Sequence, residues 1–144
     1  MPLEIVALIT AGLFAGAASY ITFVEHPARL ECGTLLAAME FAPSYRRATI
    51  MQASLAILGF LAGVAAYVQH RNLLVLAAAI LLVAVVPFTL VVIFPTNQRL
   101  LDPALEKSSA EAAALLSRWG RLHMVRTFLG CVSFVLLVVA FAAR

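Results

Sequence analysis

The chain alternates between four long apolar runs and shorter polar connections. The runs cover residues 3–24, 47–69, 73–94 and 121–142, and none carries an ionisable side chain near its centre. At about 1.5 Å per helical residue, runs of this length cross a hydrocarbon layer roughly 30 Å thick. Every backbone polar group in that layer needs an internal partner, so the runs predict helices. The expected fold is all-α: an integral membrane four-helix bundle, forming a single transmembrane domain over residues 1–144.

The connections carry their own signals. Residues 29–45 mix Leu30, Leu35, Leu36, Met39 and Phe41 with Glu31, Thr34 and Glu40, which predicts a short interfacial helix after the first span, closed by Pro43. His70-Arg71-Asn72 predicts a tight turn with a solvated histidine. Between the third and fourth runs, Asp102-Pro103 reads as an N-cap and first helical residue, and Ser108-Ser109-Ala110-Glu111 as a capping box, so this loop is expected to be helical. Pro87 predicts a kink in the third run, with Thr89 or a neighbouring helix satisfying the freed carbonyls. Pro95-Thr96-Asn97 predicts the end of that run, Asn97 serving either as a capping residue or as an amide aimed at a ligand.

Small and polar residues inside the runs predict how the helices meet. Gly12 and Gly16 form one GxxxG pair, Gly59 and Gly63 another, and both predict close helix approach, within the chain or in a homo-oligomer. Tyr45, Thr49, Gln52, Ala56, Gly59 and Gly63 recur every three or four positions and share a face. Gln52 is either interhelical glue on that face or, with Tyr45 and Thr49, part of a pocket lining.

Composition removes the soluble alternatives. Hydrophobic residues make up 64% of the chain and charged residues 12%, where a soluble domain is nearer half and a quarter. The net charge of +3 comes without any run of Lys or Arg, so no nucleic-acid partner is expected; the bilayer is. No basic residue precedes the first run, which therefore reads as a mature span rather than a cleaved signal. Cys32 and Cys131 read as free thiols, one in a connection and one in the fourth run. The long connections hold Arg29, Arg46, Arg47, Arg99, Lys107, Arg118 and Arg121, against Arg71 and Arg144 on the other side. The positive-inside rule then puts the long loops in the cytoplasm and both termini outside, in a bacterial inner membrane.

Four antiparallel spans bring Glu25, His26, Arg29, Tyr45, Arg46, Arg47, Asn97, Trp119, His123 and Arg126 to one membrane face. Trp119, His123, Arg126 and Gly130 fall on one helical stripe at the mouth of the last run. An imidazole, a permanent cation and an indole together exceed what an anchor needs. The absence of an acidic group at mid-depth argues against a proton-coupled carrier and for a site at the interface. His26, His123 and a carboxylate from Glu25 or Glu40 also make up the composition of a two-His-one-carboxylate metal site, but no two of them have the helical i, i+3 or i, i+4 spacing.

Several segments together carry a resemblance: Ala11-Gly12-Leu13-Phe14-Ala15-Gly16-Ala17-Ala18, Glu25-His26-Pro27-Ala28-Arg29, Ser44-Tyr45-Arg46-Arg47-Ala48, Pro87-Phe88-Thr89, Pro95-Thr96-Asn97 and Arg118-Trp119-Gly120-Arg121-Leu122-His123-Met124-Val125-Arg126-Thr127. In these the chain resembles the anthrone oxygenase-like family of small membrane proteins, most of whose bacterial members are domains of unknown function. The resemblance implies the same four-span bundle. It also implies an activity ascribed to fungal polyketide-pathway members, oxidation of an anthrone to an anthraquinone by dioxygen without a cofactor.

Such chemistry needs a base that titrates near neutrality, donors for a developing oxyanion and an apolar aromatic pocket. His123 or His26 suits the base. Arg126 suits the oxyanion as a fixed cation and Asn97 as a neutral donor, while Trp119, Tyr45, Gln52, Glu25 and Arg47 would surround a small apolar or aromatic substrate. The competing expectation is a non-enzymatic bundle that binds a lipid or quinone, or supports a partner complex.

Overall fold

A computed structural model of the chain describes residues 1–143; Arg144, counted above among the cations of the short-turn face, lies outside them. Four helices follow one another: α1 (Pro2–Glu31), α2 (Thr34–His70), α3 (Leu73–Leu101) and α4 (Ala110–Ala142), each long and apolar enough to cross a membrane. Neighbours in sequence are neighbours in space. α1 packs along α2 and α4, α3 packs along α2 and α4, and the two diagonals barely touch. This is the up-and-down bundle the apolar runs predict.

The helices are longer than the spans. α2 has 37 residues, about 55 Å of helix at 1.5 Å per residue, so its first turns stand clear of a bilayer core. The interfacial helix expected to close at Pro43 is instead the first part of α2, which runs through Pro43 without a break. Tertiary packing decides this. Ala37, Ala38 and Phe41 are buried in one cluster with Ile21, Ile93, Leu100, Leu116 and Trp119, and that burial outweighs the one backbone bond an exposed proline removes. The break between α1 and α2 falls earlier, at Gly33, whose φ of +90° suits a residue without Cβ.

The third connection is helical at its two ends only. α3 continues past Pro95 to Leu101, so Asn97 is neither a terminus nor a cap but a buried helical residue. Asp102-Pro103 does not start a helix: Asp102 ends α3, and its Oδ1 accepts from the Ala104 N–H at 2.8 Å in a turn. α4 begins at Ala110 with Ser109 as N-cap, its Oγ accepting from the Ala112 N–H at 3.1 Å. Glu111 turns away from the cap to pair with Arg99 at the end of α3, which ties the two helices across the loop.

Two of the X-Pro steps near the site lie just beyond a π-helical turn. Ile21–Glu25 precedes His26-Pro27 in α1, and Thr89–Ile93 precedes Phe94-Pro95 in α3. Each turn inserts one residue into the helical phase. The buried stripe Ala11, Phe14, Ala18, Ile21 therefore resumes at His26 and Arg29, and the stripe Ala78, Leu82, Val85 resumes at Ile93, Thr96, Asn97 and Leu100. Two otherwise plain apolar helices thus turn polar residues inward at the same end of the bundle.

Of the two GxxxG pairs, one is used inside the chain. A Cβ on Gly59 would lie 2.5 Å from Leu82 Cδ2 and one on Gly63 would lie 2.7 Å from Ala79 Cβ, so α2 and α3 touch where only hydrogen fits. In the other pair Gly12 packs on α4, where a Cβ would lie 3.0 Å from the Phe134 ring, whereas Gly16 is exposed and a Cβ added there would meet nothing within 4 Å.

Candidate functional site

The polar residues turned inward at the long-loop end form a layered site around α4. The deepest part is a chain of hydroxyls. Thr127 has one hydroxyl proton and two backbone carbonyls in reach, Ala18 O at 3.2 Å and His123 O at 3.3 Å. Thr22 Oγ1 lies 2.7 Å from Thr127 Oγ1 and 3.0 Å from His123 Nδ1. When Thr127 gives its proton to one of those carbonyls, which only accept, Thr22 donates to Thr127. The Thr22 oxygen is then left to accept from His123, which puts the imidazole proton on Nδ1. Nε2 keeps its lone pair and has no hydrogen-bond partner among the described residues.

Above His123 lies an aromatic stack. Trp119, one turn earlier on α4, stacks on His123 with ring centroids 4.7 Å apart and meets His26 at 5.1 Å and Phe41 edge-on at 5.4 Å. Phe41 stacks in turn on Tyr45. His26 fits only because residue 120 is glycine: a Cβ there would come within 2.6 Å of His26 Nε2. The Arg29 guanidinium lies 5.9 Å from the Trp119 ring and is held by Glu25, Glu40 and Ser44. Glu25 also accepts from the Ser44 hydroxyl at 2.7 Å.

Arg126 points the other way, into the bundle. It donates to Gln52 Oε1 at 2.7 Å and to Thr89 Oγ1 at 3.0 Å, and the Thr89 hydroxyl donates to Val85 O at 2.6 Å beside Pro87. Gln52 is thus interhelical glue and pocket wall at once. A cavity runs between these groups, lined by Arg29, Phe41, Tyr45, Gln52, Asn97, Trp119, His123 and Arg126 among others. Its volume open to the centre of a water is about 20 Å³, room for one oxygen-sized group. Asn97 is 1% exposed, and neither its Oδ1 nor its Nδ2 has a partner among the described residues.

A family model described as anthrone oxygenase matches residues 41–136. The chain belongs to the anthrone oxygenase family. No curated protein and no solved structure matches it. The matched stretch of this family member holds Tyr45, Gln52, Thr89, Asn97, Trp119, His123, Arg126 and Thr127, while the α1 wall, with Thr22, His26 and Arg29, precedes it.

Of the residues singled out from sequence, His123, Arg126, Asn97, Trp119, Tyr45 and Gln52 line the inner cavity of this anthrone oxygenase family member. His26 does not: it sits behind Trp119, against Gly120. Glu25 and Arg47 line a separate lateral groove between α1 and α2, where Arg47 is exposed and donates to Pro43 O. The two histidines and the carboxylates do not gather, since Arg29 holds Glu25 and Glu40 while His123 Nδ1 faces Thr22; among the described residues no three metal-ligating groups cluster. Thr22 and Thr127 are functional neighbours that the sequence pattern did not bring forward, whereas Thr89 bonds a backbone carbonyl beside Pro87, as expected. Thr127 was findable as the residue one turn after His123; Thr22, one turn after buried Ala18, shares the inward face, but its meeting with His123 is set by the packing of α1 on α4.

Proposed function

We propose that this chain is a membrane-embedded oxygenase that oxidises a small aromatic, anthrone- or hydroquinone-like substrate with dioxygen, by acid–base residues and without a metal or organic cofactor. One observation carries the reading: His123 lines the inner cavity with Nδ1 against the Thr22–Thr127 hydroxyl chain, an arrangement that leaves Nε2 as the free base when Thr127 donates to Ala18 O. An imidazole titrates near pH 6.5 in water, so it is the side chain suited to take an acidic benzylic proton.

For an anthrone the steps balance as follows. His123 Nε2 takes one methylene proton, leaving a carbanion whose charge spreads onto the ring-ketone oxygen beside Arg126 and Asn97. The carbanion gives its electrons to dioxygen and the carbon–oxygen bond forms, with the imidazolium protonating the resulting peroxide. Loss of the second methylene proton to His123 then breaks the O–O bond, and the carbon becomes a carbonyl. The outer oxygen leaves as water with both methylene hydrogens, so one dioxygen is consumed per quinone. Trp119, Phe41 and Tyr45 supply the aromatic wall, and dioxygen is itself an apolar solute of the bilayer.

A second reading is favoured by the tightness of the inner cavity at about 20 Å³, which admits no ring without movement: a bundle that holds a quinone or lipid and turns nothing over. Dioxygen uptake by the purified protein in detergent with an anthrone, corrected for spontaneous oxidation, separates the two. The oxygenase gives uptake matched by quinone formation and loses it in His123→Ala; ligand retention without uptake leaves the binding module. By the positive-inside rule we place the long loops in the cytoplasm, in the inner membrane of a bacterium. Self-association through a GxxxG face would centre on Gly16, since Gly12 packs on Phe134 and Gly59 and Gly63 are spent within the chain.

A further inference from the structure

The inner cavity is unusually rich in hydrogen-bond donors with nothing to donate to. Gln52 gives its Oε1 to Arg126, which leaves Nε2 over; Arg126 gives two nitrogens to Gln52 and Thr89, which leaves Nε; and Asn97 Nδ2 is unpaired among the described residues. All three side chains line the cavity. Against these three donors stand Asn97 Oδ1 and, with the proton on Nδ1, His123 Nε2, while the Tyr45 and Thr49 hydroxyls on the same wall can both donate and accept. The charge is equally lopsided. The charged and titratable groups on the cavity wall are Arg29 from α1, Tyr45 from α2, and His123 and Arg126 from α4, with α3 contributing only Asn97. Arg29 is matched by Glu25 and Glu40. Arg126 has no carboxylate within 4.0 Å among the described residues. A half-buried cation held only by neutral oxygens is costly inside a membrane, and an anion is what would offset it.

Size and position say which kind of anion. The cavity takes one oxygen-sized group but no ring. It shares Ile21, Ser44 and Ala48 as walls with the lateral groove between α1 and α2, which is open to about 460 Å³ and lined besides by Ala17, Tyr20 and Met51. We propose that the inner cavity is an anion pocket that selects ligands in their ionised form, seating the phenolate or enolate oxygen of an otherwise apolar aromatic molecule whose rings lie in the lateral groove. This deepens the oxygenase reading by naming its substrate class, a weakly acidic phenol or enol, but it requires binding and not turnover.

The test is binding of 4-nitrophenol, whose phenolate is yellow, to the whole protein in detergent micelles, titrated against pH. Anion selection lowers the apparent pKa of the bound probe by about one to three units against the same micelles without protein, as a cation a few ångströms away does. Arg126→Gln abolishes the shift, and Asn97→Leu, which keeps the charge, weakens phenolate binding about tenfold, one hydrogen bond to a charged group. Should Arg126→Gln fail to fold, Asn97→Leu and the wild-type shift still decide. Ala17→Phe, which fills the groove from its outer wall, weakens 4-nitrophenol binding while leaving the chain's thermal stability unchanged. A bound probe that stays neutral, a shift unchanged in Arg126→Gln, or an affinity indifferent to both Asn97→Leu and Ala17→Phe overturns the proposal. A shifted probe with no dioxygen uptake from an anthrone sinks the oxygenase reading alone, and uptake with an unshifted probe sinks this one alone.

Discussion

Thr22 and His123 stand 101 positions apart in the chain and meet at 3.0 Å between Oγ1 and Nδ1. The contact ties the one imidazole that lines the inner cavity to the Thr127 hydroxyl through Thr22, and it favours a proton on Nδ1 when Thr22 donates to Thr127. A base poised this way depends on a neighbour that never touches a ligand.

Thr22→Val should therefore remove the tautomer bias without opening a hole, valine being close to threonine in shape. Dioxygen uptake with an anthrone is expected to fall by about two orders of magnitude, the low end of what a positioned base supplies, with KM little changed. Thr22→Ser should restore most of it. A Thr22→Val protein as fast as wild type would mean that the hydroxyl chain does not serve the base.

Gly120→Ala tests the packing of His26. The added Cβ would sit 2.6 Å from Nε2, so the ring must move, and Trp119 with it. We expect a loss of about 1–3 kcal/mol, typical of overpacking, read by thermal unfolding in detergent. Trp119 is the chain's single tryptophan, so its fluorescence should also change. An unaltered spectrum and unaltered unfolding temperature would show that the His26–Trp119 contact is loose.

The two GxxxG pairs should respond differently. Gly63→Leu drives a side chain into Ala79 on α3 and is expected to disrupt the α2–α3 contact, costing about 1–3 kcal/mol or more. Gly16→Leu meets open space and should leave monomer stability within about 0.5 kcal/mol. Unfolding in detergent compares them, and equal losses would contradict the assignment of the close approach to α2 and α3.

The cluster around Arg29 is asymmetric. Its side chain is 4% exposed, Glu25 is 26% exposed and Glu40 is 48% exposed. Glu40→Gln should thus cost well under about 1 kcal/mol, as for a surface pair. Arg29→Leu, which leaves Glu25 facing Ser44 alone, should cost several times more. Chemical unfolding of the two variants side by side would expose an inverted order.

Amphipathic and apolar periodicity was sufficient for the four spans, their antiparallel order and the face that collects the polar residues, because a bilayer admits only helices and closed barrels, and continuous apolar runs of that length fit helices. It was also sufficient for the stripe of Trp119, His123 and Arg126, which is local to one helix. Where helices end was less legible: Pro43 and Pro95 look like stops, yet burial of Phe41 and Leu100 carries α2 and α3 past them. The partners of the stripe were beyond sequence altogether. That Thr22 meets His123 depends on how α1 packs on α4, and that His26 and Asn97 face inward turns on a single extra residue in each π-helical turn. That phase shift leaves no periodic mark of its own, and only the packing of four helices against one another selects it.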